Sequence, residues 1–144
     1  MAHLINAITK ENELIINTDG GSRGNPGPAA VGVVINTSDG RHLESFGEFI
    51  GDATNNQAEY QAVVIALKVA QKYSPQAIKF ILDSELVVKQ LRGEYKVKNV
   101  DLQPIHQDIL RRCSNLSVSF THVLRAQNKL ADIEVNKALD EVLD

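Results

Sequence analysis

The sequence predicts a single α/β domain, in which helices cover both faces of a mixed β-sheet. The chain has 144 residues, which is enough for one hydrophobic core and too few for two independent ones. Its first third contains short β-branched runs and a hairpin turn. Apolar segments with helical spacing then alternate with strand-like runs, the order expected of strand–helix–strand crossovers.

The first three predicted elements are strands. Residues 13–19 form a short Ile-rich run before a pair of glycines, and residues 29–36 (AAVGVVIN) form a β-branched run. The Asp-Gly pair at 39–40 favours a hairpin that leads into residues 41–50. That last run alternates weakly, which is typical of an edge strand with one solvated face.

The hydrophobic period changes after this hairpin. Thr54 and Gln57 fit a capping box, which predicts a helix from there to about Tyr73, before Ser74-Pro75. The remaining predicted elements are a strand at 77–82, helices at 84–92 and 101–113, a strand at 117–123 and a helix at 129–143. We expect residues 1–12 to be an N-terminal extension and residues 13–144 to form the domain.

Composition narrows the possible partners and the compartment. Lys and Arg total 15 against 18 Asp and Glu, a net charge of −3, so a generally basic nucleic-acid coat is excluded. A polyanion must therefore be bound by a local patch, by backbone amides or through metal ions. The single cysteine excludes a disulfide framework. Without a signal-peptide pattern or a membrane-length apolar run, we expect a cytoplasmic protein with no membrane partner.

Four carboxylates fall at the predicted ends of elements. Asp19 and Asp83 follow the first and fourth strands, and Glu59 and Asp132 lie in the first two turns of helices. If those strands are parallel neighbours, the four side chains meet at one sheet edge. Such a cluster is self-repelling without cations, and oxygen-only ligands suit Mg²⁺ or Mn²⁺. The alternative is that each acid only ends a strand or caps a helix.

Four segments carry a resemblance to a known family: residues 17–28 (NTDGGSRGNPGP), 54–59 (TNNQAE), 83–91 (DSELVVKQL) and 122–132 (HVLRAQNKLAD). Together they resemble type 1 ribonuclease H, in the compact prokaryotic form without a basic protrusion. The resemblance implies a ribonuclease H-like fold, with strands 1-2-3 antiparallel and strands 1-4-5 parallel in a five-stranded sheet. It also implies cleavage of the RNA strand of RNA–DNA hybrids, which leaves 5′-phosphate and 3′-hydroxyl ends.

The resemblance also implies roles for individual residues. Asp19, Glu59, Asp83 and Asp132 would hold two Mg²⁺ or Mn²⁺ ions in the substrate complex, and His122 would carry a proton. The expected substrate contacts in the family segments are Gly20, Gly21, Asn25, Thr54, Asn55, Asn56, Ser84 and Asn128. A run of basic residues at 89–98 adds Lys89, Lys96 and Lys98 as expected contacts with the DNA backbone. The expected partner of this monomer is a hybrid duplex, and double-stranded RNA stays open as a second substrate.

Ordinary structural explanations stand beside several of these roles. The Gly-rich run also suits a tight connection between strands, and Thr54 also suits a helix cap. A lone histidine near a strand end, such as His122, is commonly structural. Lys89, Lys96 and Lys98 suit either a groove for a DNA backbone or a solvated face.

One departure from the family pattern and two alternative functions also remain. Glu134 stands where the family has a core leucine, which puts in question how firmly Asp132 is positioned. One alternative is another nuclease built on the same superfamily scaffold. The other is a hybrid-binding protein with an inactive site, against which the four carboxylates argue.

Overall fold

The structure is a computed structural model, and it describes residues 12–143. Its strands are β1 (Glu13–Ser22), β2 (Gly27–Thr37), β3 (His42–Ala53), β4 (Ala77–Leu82) and β5 (Ser117–His122). Its helices are α1 (Asn55–Ala70), α2 (Glu85–Leu91), α3 (Gln103–Arg112) and α4 (Lys129–Leu143). Short 3₁₀ turns follow α1 (Gln71–Tyr73) and precede α4 (Arg125–Asn128). The predicted order of strands and helices is confirmed.

The five strands form one mixed sheet in the order β3-β2-β1-β4-β5. β1 pairs antiparallel with β2, and β2 pairs antiparallel with β3. β1–β4 and β4–β5 are parallel. The predicted fold class is therefore confirmed, and β3 lies at an edge as its weak alternation indicated. The hairpin turn closes with a 3.0 Å bond from the Gly40 N–H to the Thr37 carbonyl, and Gly40 has a φ of +94°.

The prediction that the first strand ends at Asp19 is wrong by three residues. β1 runs on to Ser22, which pairs with Ala29 of β2. The Gly20-Gly21 pair suggested a break, but β2 supplies a continuous antiparallel partner on that side. The parallel pairing with β4 does stop earlier, at Asn17 opposite Ile81. Asp19 therefore lies inside a strand, just beyond the last residue that pairs with β4.

Helices cover both faces of the sheet. α1, α2 and α3 bury the larger core, which includes Ile16, Tyr60 and Phe80. α4 packs on the opposite face, with Val135 in a smaller cluster. Its first turn lies directly against β2, because a Cβ at Gly32 would come within 2.0 Å of the Ala131 carbonyl oxygen. Because Gly32 has no side chain, the α4 backbone contacts β2 directly, and this contact fixes the position of the start of α4 on the sheet.

Two local features complete the fold. Asn12 is buried, and its carbonyl accepts a 3.1 Å bond from the Gln76 N–H. The predicted extension otherwise lies outside the described residues, and its boundary stays a prediction. Within residues 12–143, none of the helices has both the length and the apolar character that a bilayer crossing requires.

Candidate active site

Three carboxylates from three elements converge at the carboxyl end of β4. Asp19 comes from β1, Glu59 from the second turn of α1, and Asp83 follows β4 directly. One carboxylate oxygen of each lies within 4.8 Å of the others. This confirms that Asp19 and Asp83 emerge at the same sheet edge.

Gly20 explains why α1 can bring Glu59 so close to β1. A Cβ at this position would lie 2.2 Å from the Ala58 carbonyl carbon, so only glycine allows this contact. The Gly20 N–H donates to Glu59 Oε1 at 2.8 Å and to Asp19 Oδ1 at 3.0 Å. One backbone amide therefore orients both acids, a role that the sequence pattern did not indicate.

The cluster is electrostatically strained without cations. Burial, reinforced by the charge of Asp83, raises the pKa of Asp19 to about 7. Burial is also the main cause that raises the pKa of Glu59, followed by the charges of Asp19 and Asp83. The pKa of Asp83 is raised by burial, although a hydrogen bond from Asn128 and the charge of Arg125 oppose the shift. The site therefore favours either protons or added cations.

Asp132 faces the same cavity from the first turn of α4 but stands outside the close group of three. Its charge contributes to the raised pKa values of Asp19 and Asp83. Asn136, one turn later, donates to the Asp132 carbonyl at 3.0 Å. The Glu134 side chain is only 16% exposed and lies 3.9 Å from Lys137 Nζ, so the unexpected acid is half-buried beside a base.

Asn128 lies beneath the cluster. Its side chain is 1% exposed, and its amide donates to the Thr18 carbonyl at 2.9 Å and to Asp83 Oδ2 at 3.5 Å. Its own oxygen accepts a 3.0 Å bond from Asn17 Nδ2. This geometry suits a residue that orients Asp83, whereas the sequence suggested a substrate contact. Asn17 was missed, although it opens the first family segment.

A cavity of about 380 Å³ opens over the carboxylates. The residues in its wall that the sequence singled out are Asp19, Gly20, Gly21, Asn55, Asn56, Glu59, Asp83 and Asp132. The residues that it did not single out are Ser22, Arg23, Val135, Asn136 and Leu139. Arg125, which the sequence left open as a phosphate contact or a surface charge, also lines the wall. Arg23 lies within the first family segment, which is the signal that could have identified it.

Asparagines join the Gly-rich connection to the start of α1. The predicted capping box is present, since the Gln57 N–H donates to Thr54 Oγ1 at 3.0 Å. The Asn55 N–H donates to Asn25 Oδ1 at 2.9 Å. Asn55 Oδ1 in turn accepts a 2.8 Å bond from the Ser22 N–H. These side chains therefore serve the fold locally, and the helix N-terminus still faces the cavity.

His122 and Ser84 flank the site without lining the cavity. His122 is the last residue of β5 and pairs with Leu82, which precedes Asp83. Its side chain is 31% exposed, and its Nδ1 lies 4.0 Å from a Glu85 carboxylate oxygen. Ser84 caps α2 by accepting a 3.3 Å bond from the Val87 N–H.

The predicted lysines lie on α2 and on the connector that follows it. Lys89 Nζ lies 5.0 Å from the centre of the Tyr95 ring and 3.4 Å from Glu85 Oε1. Lys96 and Lys98 are exposed, and none of the three lysines is in the cavity wall. They form a separate basic surface beside the site.

Comparisons with known proteins identify relatives that share this fold. A sequence profile described as reverse transcriptase-like matches residues 17–138. A ribonuclease HI of Halobacterium salinarum is 44% identical over 126 residues, which are 85% of this chain and 62% of that protein. A ribonuclease H of Polaromonas naphthalenivorans is 33% identical, over 94% of this chain and 92% of its own length.

The chain belongs to the ribonuclease HI family. A solved member is LC11-RNase H1, which was isolated from compost by a metagenomic approach. Its crystal structure in complex with an RNA/DNA hybrid superposes with a TM-score of 0.87 at 39% identity. The match covers 91% of our ribonuclease HI chain and 99% of the LC11 chain.

The match covers only part of several relatives. Our chain spans 62% of the Halobacterium protein and 36% of the matched mycobacterial proteins, one of which is a bifunctional protein of Mycobacterium tuberculosis. Family membership therefore applies to the domain that this chain covers.

Proposed function

We propose that this chain is an endoribonuclease that cleaves the RNA strand of RNA–DNA hybrids, and that it uses divalent cations to do so. The observation that carries the proposal is the convergence of Asp19, Glu59 and Asp83 within 4.8 Å in a domain of the ribonuclease HI family. The hybrid bound by LC11-RNase H1, at 39% identity, supports the choice of substrate.

The donor chemistry fits Mg²⁺ or Mn²⁺. All three close ligands offer carboxylate oxygens, which hard divalent cations prefer. Cations would also relieve the repulsion that raises the pKa of Asp19 to about 7. Asp132 would complete the ligand set from α4. Two ions, when bound, would supply the charge that activates a water and stabilises the leaving oxygen, which gives 5′-phosphate and 3′-hydroxyl ends.

The surrounding residues would receive the duplex. Gly20 and Gly21 line the cavity, and the absence of a side chain at Gly21 leaves room for a strand of the duplex with the 2′-hydroxyls that distinguish RNA. The N-terminus of α1, with Thr54 and Asn55, would bind a phosphate of the DNA strand. The remaining predicted contacts are Asn25, Asn56, Ser84, Lys89, Lys96 and Lys98, with His122 as proton carrier, whereas the buried Asn128 would orient Asp83.

The test is cleavage of labelled duplexes by the full chain. RNA–DNA hybrid, double-stranded RNA, single-stranded RNA and plain DNA duplex are each incubated with Mg²⁺, Mn²⁺ or EDTA. We expect cutting of the hybrid RNA strand in the presence of metal, with no cutting in EDTA. Asp19→Asn should lower the cleavage rate roughly 10³-fold or more, because it removes several kcal/mol of transition-state stabilisation. Asp52→Asn, an exposed acid in β3, is the matched control.

Other outcomes would point to the two alternative functions. Hybrid binding without cutting in either metal would indicate an inactive binding protein. Equal cutting of plain DNA would indicate a different nuclease on the same scaffold. Analysis of the product ends decides whether the phosphate stays on the 5′ side, and size-exclusion chromatography tests the expected monomer.

A further inference from the structure

The connection between β1 and β2, residues 23–26, is tied to two helices. On one side, Asn25 accepts the 2.9 Å bond from the Asn55 N–H at the start of α1. On the other side, Arg23 Nη2 donates to Asp140 Oδ1 at 2.7 Å and to Asn136 Oδ1 at 3.3 Å, both on α4. The connection therefore bridges the helix that carries Glu59 and the helix that carries Asp132.

Arg23 is the link on the α4 side. Among residues 12–143, it makes the only side-chain hydrogen bonds between this connection and α4. Asn136 continues the link, because its amide donates to the Asp132 carbonyl at 3.0 Å. Arg23 and Asn136 also both line the cavity over the carboxylates. Loss of the Arg23 contacts would free one side of the connection from the wall of the site.

The placement of α4 itself does not depend on Arg23. The first turn of the helix is held by its direct contact with Gly32, and Val135 is buried against the sheet. The carboxylates of Asp19 and Glu59 are oriented by the Gly20 amide. We therefore expect Asp19, Glu59 and the start of α4 to keep their positions when Arg23 is changed, and the Gly-rich connection to lose its anchor on α4.

We propose that Arg23 is a positioning residue that holds residues 23–26 against α4, so that the connection keeps the shape in which it receives the hybrid. The proposal rests on the function proposed above. The two side chains are 40% and 59% exposed, so the ion pair is of the modest, solvent-screened kind. Its loss is expected to raise the KM for the hybrid by roughly 2- to 5-fold and to leave kcat at saturating substrate unchanged.

A direct phosphate contact by Arg23 would also raise KM, and Asp140 separates the two explanations. Positioning needs both partners, so Arg23→Ala and Asp140→Ala should both raise KM. A direct contact predicts that Asp140→Ala leaves KM unchanged or lowers it, because the guanidinium is set free. The charge swap, Arg23→Asp combined with Asp140→Arg, should restore KM toward wild type only if the pair itself is needed.

The experiment combines steady-state cleavage of a labelled hybrid with amide hydrogen exchange of residues 22–28 in the substrate-free chain. Both single variants should exchange faster there, and the charge swap should exchange more slowly than either. Arg111→Ala is the control, because Arg111 makes a similar exposed pair with Asp108 on α3, at 2.9 Å. Its KM and its exchange at 22–28 should equal wild type.

Two results would overturn the proposal. One is wild-type exchange and wild-type KM in Arg23→Ala, and the other is a KM increase in Arg23→Ala without one in Asp140→Ala. If the wild-type chain does not cut hybrids, the proposed function fails. The exchange measurement needs no substrate, so it still decides whether Arg23 orders the connection.

Discussion

The fold holds the carboxylates of Asp19 and Glu59 close together, although their like charges repel each other. Both are buried, and the nearest compensating donor is the single Gly20 N–H, which is shared between them. A buried carboxylate that lacks a cation is destabilising, because folding removes it from water. The two carboxylates that the proposed metal binding requires should therefore lower the stability of the metal-free protein, and thermal unfolding can measure this effect.

The metal-free protein is expected to lose stability as the pH rises. The pKa of Asp19 is about 7 in the folded chain, against about 3.9 for an unfolded aspartate. Folding therefore favours the protonated form, whose stabilising contribution is complete below about pH 4 and is lost as the pH rises through 7. Asp19→Asn should raise Tm in EDTA at about pH 8 by roughly 3–6 °C, equal to about 1–2 kcal/mol.

Calorimetry in EDTA and in Mg²⁺ checks this prediction. Mg²⁺ should raise the Tm of the wild type and have less effect on Asp19→Asn, because the ion binds the native cluster. Asp52→Asn, which removes an exposed acid of β3, should show neither effect. An Asp19→Asn Tm at or below that of the wild type in EDTA at about pH 8 would contradict the proposed repulsion.

Asn128 gives a second prediction at this scale. It is buried and donates to both the Thr18 carbonyl and Asp83. Asn128→Ala should therefore lower kcat by about 10- to 100-fold, the usual effect of losing a group that orients a ligand. It should also lower stability by about 1–3 kcal/mol, because buried polar groups lose their partner.

Steady-state kinetics well below Tm separate this orienting role from a substrate contact. Asn115→Ala, in the exposed turn before β5, is the control and should behave as wild type. A raised KM with an unchanged kcat in Asn128→Ala would favour the direct contact that the sequence suggested.

At the scale of elements, boundaries set by local chemistry were predictable. Thr54 and Gln57 form the expected capping box, and Gly93 has the positive φ typical of a helix end. The length of β1 was not predictable from its glycines, because it depends on pairing with β2, which is distant in sequence. Close backbone contacts, such as Gly20 against Ala58, likewise depend on the packed helices.

Glu134, the residue that departs from the family pattern, lies in α4 and gives a testable prediction. The Glu134 side chain is only 16% exposed, beside a groove lined by Val34, Leu130 and Ile133. Replacing it with leucine should exchange a poorly solvated charge for apolar contact. Glu134→Leu is therefore expected to raise Tm by about 3 °C, roughly 1 kcal/mol.

Thermal unfolding measures the effect of this change. Glu141→Leu, in the exposed last turn of α4, is the matched control and should leave Tm within about 0.5 kcal/mol of wild type. A lower Tm for Glu134→Leu would mean that this carboxylate stabilises α4 through Lys137.

At the scale of the molecule, charge is the main constraint on binding. The chain has a net charge of −3, and its cavity contains four acids and two arginines. The proposed hybrid would therefore rely on the cations, the two arginines, the amides at the start of α1 and the lysines of α2 and the connector after it. Binding that rests on so few positive charges is expected to weaken as salt increases.

Salt dependence gives the corresponding prediction. If the three lysines contact phosphates, the kcat/KM for the hybrid should fall by roughly 10- to 100-fold between about 50 and 200 mM KCl. Lys96→Ala and Lys98→Ala should each reduce the slope of log(kcat/KM) against log[KCl] by about 1. Lys72→Ala is the control, because Lys72 is bound to Glu44 at 2.6 Å, near the end of α1 remote from the cavity. A wild-type slope in both connector variants would exclude this surface as a DNA contact.

Much of the site followed from the sequence once the strand order was known. The sheet order brings the ends of β1 and β4 together, so Asp19 and Asp83 could be placed by reasoning about topology alone. Side-chain partners could not be placed in this way. The contacts of Arg23 with α4 depend on the position and the rotamers of a helix more than a hundred residues away.

β1 is paired along both edges, and alternate residues of the strand point to opposite faces of the sheet. A slip of one position against β2 would therefore turn Asp19 toward the wrong layer and bring Thr18 into its place. After such a slip, Asp19 would no longer lie near Glu59 and Asp83, so the cluster of three carboxylates would be lost. A chain with this register error should therefore lack the metal site altogether, so a preparation that contains such chains would have fewer competent molecules rather than slower ones.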